Sequence, residues 1–270
     1  MKYTVLTLFP EITDAFFATS IMAKAIKRGI IEYKAVNIRD FAKDKHKTCD
    51  FAPYGGGPGM LILPEPLGLA LKSILGEEYQ PQRTQRNTEK EKNSVVAAKP
   101  RVIYLSPSGK PFNQAVAREL AAESELILIC GRYEGIDQRI IDLYVDDEIS
   151  VGDYVLSSGE VAALAVIDAT YRLVDNVICA DSLMEESFSD GLLEYPQFTR
   201  PEVYDTMKVP EVLLSGHHEQ IRLWRLEKRV EKTMQKRPDL IERGMEQASD
   251  GSRLFNQEVI NMIDKDRRKT

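Results

Sequence analysis

The sequence predicts an α/β fold built on a parallel sheet, followed by a smaller, mainly helical C-terminal region. Three observations predict it. The first forty residues read as strand, helix and strand in succession. Residues 126–130 (Leu-Ile-Leu-Ile-Cys) are apolar at every position, as in a strand buried on both faces at the centre of a parallel sheet. Successive strands then run into loops that carry glycine or proline.

Taken in order, residues 3–8 read as a buried strand. Pro10 sits where a helix can begin, and the pattern continues to residue 28, with Gly29 placed as a left-handed cap. Residues 30–38 read as the second strand. Residues 40–60 are polar and then glycine-rich, which is loop chemistry, and 64–75 resembles a short helix. Residues 76–99 are charged, rich in Gln, Asn, Thr and Glu, and lack apolar periodicity, so a mobile insertion is expected there.

The α/β pattern resumes with a strand at 101–105, a helix at 112–122 and the strand at 126–130. A nearly all-apolar helix at 161–172 follows, expected in the core or a subunit interface. From 181 to 210 the chain is polar with scattered prolines, and from 215 onward it is helical and basic. The expected organisation is a domain at 1–178, a linker at 179–195 and a helical domain at 196–270.

The bulk properties bound the function. A chain of 270 residues buries a sizeable core, and 43% hydrophobic with 29% charged residues is ordinary for a soluble globular protein. The net charge of -6 does not announce a polyanionic partner, so nucleic-acid binding would require local basic patches. Cys49, Cys130 and Cys179 form no Cys-x-x-Cys, and with three histidines no zinc site is read. Sparse, odd thiols point to a cytoplasmic home. The N-terminus does not read as a signal peptide, and no apolar stretch is long enough to span a bilayer.

Three strand-ending loops supply the candidate site, because ligands of open α/β sheets sit outside the carboxyl ends of strands. They are Ser106-Pro107-Ser108-Gly109, Gly131-Arg132-Tyr133-Glu134-Gly135, and the run from Ser150 through Gly152 to Gly159 and Glu160. Their glycines let backbone approach a ligand closely. There is no G-x-x-x-x-G-K-[ST] and no strand-ending G-x-G-x-x-G, so a phosphate-bearing nucleotide is not indicated. An adenosine with an uncharged tail is compatible, as are ordinary strand-to-helix turns.

Several motifs carry a resemblance to a known family. They are Gly131-Arg132-Tyr133-Glu134-Gly135-Ile136-Asp137, Val151-Gly152-Asp153-Tyr154-Val155-Leu156, Tyr54-Gly55-Gly56-Gly57-Pro58-Gly59-Met60 and Thr199-Arg200-Pro201-Glu202-Val203. With Leu8-Phe9-Pro10, Arg39-Asp40-Phe41, Leu105-Ser106-Pro107, Leu213-Leu214-Ser215-Gly216 and Trp224-Arg225, the chain resembles the bacterial tRNA (guanine-37-N1)-methyltransferases, the TrmD family of the SPOUT superfamily. The motifs occur in the family's order and cover nearly the whole chain.

The resemblance implies a SPOUT-type domain whose site for S-adenosyl-L-methionine (SAM) is a deep trefoil knot, which periodicity cannot reveal because threaded chains are rare. It also implies an obligate homodimer with a shared active site. SAM would lie against Ser106, Pro107, Gly131, Tyr133, Glu134, Ser150, Val151, Gly152, Asp153, Tyr154, Val155, Leu156 and Gly159. Tyr54, Pro58, Gly59 and Arg200 would contact the tRNA, and Arg172 would face the target guanine. The resemblance also implies a reaction assisted by magnesium, without naming a ligand residue.

The family's base is an aspartate before Ser-Phe. Here Glu186 stands in that place, one methylene longer, and is expected to serve as the base. Ser158 replaces a glycine of the family, which raises the expectation of a locally different loop if that position needs a left-handed angle.

In the C-terminal region, residues 221–236 read as a helix with Leu223, Leu226, Val230 and Met234 on one face. Arg222, Arg225, Arg229, Lys232 and Lys236 form an adjacent basic stripe suited to phosphates. The alternative, a solvated face paired with Glu227 and Glu231, uses the same spacing. Trp224 is expected in the helical core. Two other classes compete: a non-catalytic knotted RNA-binding protein with a decayed site at Glu186, and a small-molecule transferase with an adenosine cofactor, against which the basic helix argues.

Overall fold

The computed structural model describes residues 1–77, 79–81, 99–179, 182–183, 185–249 and 254–268, so most of the expected insertion at 76–99 lies outside the described residues. Contacts divide the chain into two compact units, Met1–Ile178 and Cys179–Thr270. No described helix is long and apolar enough to cross a membrane.

The first unit runs β1 (Lys2–Thr7), α1 (Pro10–Phe17), α2 (Ser20–Lys27), β2 (Glu32–Asn37), a 3-10 turn (Ile38–Phe41), β3 (Asp50–Phe51), β4 (Leu61–Ile62) and α3 (Pro64–Leu75). It continues with β5 (Arg101–Pro111), α4 (Gln114–Ala121), β6 (Glu125–Ile129), α5 (Gln138–Tyr144), β7 (Asp147–Ser150) and α6 (Gly159–Tyr171). Five strands form one sheet in the order β2-β1-β6-β5-β7, every pair parallel. Successive side chains of a strand point to opposite faces. Val5, Ile103, Leu126 and Leu128 therefore pack on one face with Phe17, Met22, Leu120 and Val166. Leu6, Val102, Ile127 and Ile129 pack on the other with Leu67, Leu71, Ile140 and Ile141. Helices cover both faces of β6, which is why its sequence shows no polar alternation.

Two boundaries depart from expectation. The helix expected over 10–28 is two helices, because Thr19 is extended (φ −119°, ψ 155°) and its hydroxyl donates to the Phe16 carbonyl at 3.0 Å. The strand expected to end at Leu105 leaves its neighbour at Ser106 and pairs again with β7 at Lys110 and Pro111. That excursion needs glycine at 109: a Cβ there would lie 2.4 Å from the backbone of Glu148 and Ile149.

The second unit contains the β8 (Val203–Tyr204) and β9 (Met207–Lys208) hairpin, then α7 (Glu211–Leu214), α8 (His218–Lys236), α9 (Pro238–Ser249) and α10 (Gln257–Arg267). Its core joins Leu192, Leu226, Val230, Ile241, Phe255, Val259 and Ile263. Gly244 makes room for Phe255, since a Cβ there would stand 2.2 Å from the ring. The segment 179–195, expected as a linker, belongs to this unit. Leu192 is fully buried, the Leu193 N–H donates to the Thr233 hydroxyl at 2.9 Å, and Lys232 donates to the Glu194 carbonyl at 2.9 Å.

Arg229 is corrected in the same way. Its side chain is buried, pairs with Asp190 and donates to the Leu193 carbonyl, so it does not stand on the exposed stripe. Helical spacing alone could not show that residues 190–193 cover this position. Arg229→Ala is expected to lower the stability of this unit by about 1–3 kcal/mol, as for a charge-assisted bond whose partner remains half-exposed. Urea titration followed by tryptophan fluorescence of Trp224 measures it, and an unchanged midpoint would return Arg229 to the surface stripe.

Candidate active site

The excursion within β5 at 106–109 and the loops that follow β6 and β7 line one cavity of about 270 Å³. Of the residues the resemblance assigns to SAM, all but Asp153 line it: Ser106 and Pro107, then Gly131, Tyr133 and Glu134, then Ser150, Val151, Gly152, Tyr154, Val155, Leu156 and Gly159. Asp153 is exposed on the same loop, outside the lining. Tyr104, Arg132, Ser158 and Ala162 also line the cavity. Arg132 and Ser158 lie within segments the sequence had singled out but were not chosen; Tyr104 and Ala162 lie on a strand and a helix, where burial alone explained them.

The loops are held by backbone. The Gly159 N–H donates to the Gly131 carbonyl at 2.8 Å, and a Cβ on Gly159 would meet the Gly131 nitrogen at 2.6 Å. Ser158 bridges Arg132 in antiparallel fashion with φ −155°, ordinary extended backbone. The expectation that serine at 158 would strain the loop is therefore not met: glycine is not required there. Tyr133, by contrast, sits at φ +57°, a left-handed angle uncommon for a tyrosine, and its side chain is half-exposed at the cavity. Tyr104 is buried beneath Gly131, and its burial pushes the phenol above its ordinary value.

The glycine-rich loop is tied to the cavity. Glu134 accepts from the Met60 N–H at 2.6 Å, its own N–H donates to the Met60 carbonyl at 3.1 Å, and Gly59 leaves the space its carboxylate occupies. Pro58 and Gly59 are exposed beside it, and Tyr54 is fully exposed at the loop's turn. Among the described residues the lining offers one cation, Arg132, and that guanidinium is already paired with Glu160 at 3.1 Å. The donor set is thus main-chain amides, hydroxyls and one carboxylate. It suits a nucleoside with a cationic tail, and among the described residues the lining holds no unpaired lysine or arginine.

The remaining candidates fall elsewhere. Arg172 caps the C-terminal end of α6 in the first unit, and Glu186 lies partly buried in the second. Arg200 is exposed before the hairpin. On α8, Arg222 is exposed and clasped by Glu219 and Glu258, each at 2.8 Å. Arg225 lies 4.7 Å over the Tyr195 ring and 3.6 Å from Glu185. Trp224 is half-buried, its ring tilted against Phe198, rather than buried in the core. Among the described residues, no group of three or more His, Cys, Asp or Glu side chains could hold a metal ion.

A parallel α/β sheet whose strand-ending loops line one cavity, and a second, helical unit with exposed arginines, fit the class of RNA-modifying enzymes that use a nucleoside cofactor. The particular family follows from comparison. A family model described as tRNA (Guanine-1)-methyltransferase TrmD matches residues 1–243, and the chain belongs to this family. The tRNA (guanine-N(1)-)-methyltransferase of Treponema denticola is 62% identical over 243 residues, 90% of this chain and 91% of that protein. That of Treponema pallidum is 56% identical over 263 residues, 97% of this chain and 95% of that protein. That of Borreliella burgdorferi is 54% identical over 242 residues, 89% and 92% of the two.

Proposed function

We infer that the protein transfers the methyl group of SAM to N1 of guanine 37 in tRNA, next to the anticodon. The observation that carries this reading is one cavity shared by three glycine-bearing strand-end loops, whose described lining offers no unpaired lysine or arginine. SAM, when bound, supplies an electrophilic methyl on a sulfonium. The cavity's main-chain groups hold the adenosine, and Glu134 stands where it can face the cationic end.

The target guanine must leave its stack before chemistry, a cost of a few kcal/mol. The exposed Tyr54 ring and the Pro58–Gly59 backbone are suited to receive it. Guanine N1 carries a proton and attacks poorly until that proton is lost. In the proposed step Glu186 takes the N1 proton as N1 bonds the methyl carbon, the carbon–sulfur bond breaks, and neutral S-adenosylhomocysteine leaves. Arg172 faces O6 and stabilises the negative charge that grows there.

The finer architecture of the family is part of the same reading. The cofactor loops form a deep trefoil knot, supported by the β5 excursion at 106–109 and by the backbone contact of Gly159 with Gly131. The protein works as a homodimer with a shared site, a reading supported by Val161 and Ala165, apolar residues exposed one turn apart on α6. Residues 196–270 bind tRNA, and the enzyme acts in the cytoplasm, where its substrate is made.

Mapping the methylated nucleotide in a tRNA transcript with guanine at position 37 tests the reading. Methylation at N1 of that guanine, abolished when it is replaced, is the expected result; transfer to another position or to none would overturn it. For the second unit, Arg222→Glu with Lys236→Glu is expected to weaken tRNA binding and flatten its dependence on salt by about two phosphate contacts, leaving SAM affinity intact. Filter binding over a salt series measures it, and unchanged tRNA affinity would remove α8 from the RNA surface.

A further inference from the structure

The most deeply buried carboxylate among the described residues of the first unit has no part in the chemistry above. Glu160 is the second residue of α6 and is fully buried. A carboxylate out of water is costly unless it is paired and hydrogen-bonded, and an apolar residue of similar size would often be more stable. Its partners all come from the ends of strands. One oxygen accepts from the Thr7 hydroxyl at 2.5 Å, at the end of β1. The other accepts from Arg132 Nε at 3.1 Å, in the loop after β6.

The network extends one step further. Thr7 Oγ1 accepts from the Phe9 N–H at 2.9 Å, and the Arg132 guanidinium lies 4.5 Å over the Phe9 ring. Glu160 itself stands immediately after the third cavity loop. One buried anion thus links β1, the loop at 131–135 and the loop that ends at Gly159. The helix N-terminus favours the charge, and the Gly159–Gly131 backbone contact runs beside it. Arg132 is the residue most affected: with its charge committed inward to Glu160, its backbone is held at the floor of the cavity, between Gly131 and Tyr133.

We propose that Glu160 is a positioning residue that latches the loop at 131–135 to the loop at 150–158 through Arg132, so that the SAM cavity is formed before SAM arrives. The proposal rests on the reading that this cavity takes SAM. It differs from a purely structural role in what it does to ligand binding: the loops would lose their mutual alignment while the sheet remained intact.

The experiment compares full-length Glu160→Gln, Arg132→Met and the double variant. SAM affinity is measured by calorimetry, the KM for SAM and for tRNA by methyl transfer, and folding by thermal melting. A latch predicts that each single change weakens SAM binding by about tenfold to a hundredfold, the scale of a small misplacement. It predicts that the KM for tRNA stays within about twofold, and that the double variant is no worse than the worse single, because both remove one interaction. If Glu160→Gln does not fold, Arg132→Met, whose guanidinium is partly exposed, carries the same test. SAM affinity within about twofold of the parent in a folded variant, or additive losses in the double, overturns the latch. Hydrogen exchange on the unaltered protein separates the two readings: SAM should protect amides at 131–135 and 150–157. Absence of that protection overturns the cavity reading and the latch with it, whereas protection with unaltered affinity in the variants overturns the latch alone.

Discussion

Glu186→Gln is expected to lower the rate of methyl transfer by about 10²–10⁴-fold, the usual worth of a positioned general base, while SAM affinity stays within about twofold. The amide keeps the size of the side chain and loses only the capacity to take the N1 proton. Single-turnover transfer at saturating SAM and tRNA isolates that step from binding and product release. Near-normal transfer by the glutamine variant would remove Glu186 from the mechanism. Glu186→Asp separates geometry from chemistry. The resemblance places an aspartate at this position, so a backbone path adapted to the longer side chain would leave the shorter carboxylate about a bond length from the base. Aspartate is then expected to retain more activity than glutamine and less than glutamate.

Arg101→Met is expected to cost about 3–5 kcal/mol of stability at neutral pH, the scale of a broken buried ion pair. Arg101 is the largest fully buried side chain among the described residues. Its Nε donates to Asp147 at 2.6 Å, with Glu119 at 2.7 Å and Glu123 at 3.2 Å, and Lys110 pairs with the other oxygen of Asp147 at 2.9 Å. Glu119 and Glu123 are partly exposed and recover water when the arginine is removed, so they contribute little. Asp147 is the one left buried. Burial alone would raise its carboxyl, but the hydrogen bonds from Arg101 and Lys110 prevail and hold it below the ordinary carboxylate range. A carboxyl depressed on folding stabilises the protein above its unfolded value near 4 and loses that contribution as pH falls through the lower folded value. The gap between the parent and Arg101→Met should therefore be full at pH 7 and narrow below about pH 4. Urea midpoints across that range measure it, and a gap independent of pH would mean that Asp147 is not the group concerned.

The parts of the fold that depend on local pattern were legible in the sequence. An apolar run with helices on both sides specifies β6, and Gly29 ends α2 at a left-handed angle as its position suggested. What was not legible depends on contacts distant in sequence. Helical spacing put Arg229 on a basic stripe, whereas Asp190, thirty-nine residues away, draws it inward. The polar texture around Leu192 concealed a core residue. The return of β5 to its neighbour after Ser106 has no periodic signature, because four residues out of register resemble any loop. At the site, glycines and strand ends pointed to the right loops, but Arg132 passed unremarked because its partner, Glu160, is twenty-eight positions further along.

The family model and the folded core do not end at the same residue. The family match stops at 243, yet the ring of Phe255 fills the notch at Gly244, and Val259 and Ile263 close over Leu226, Val230 and Ile241. A chain cut at the last matched position would leave that side of α8 and α9 bare to water, with an oily face suited to aggregation. The stretch beyond the family model's end thus completes the core of the second unit.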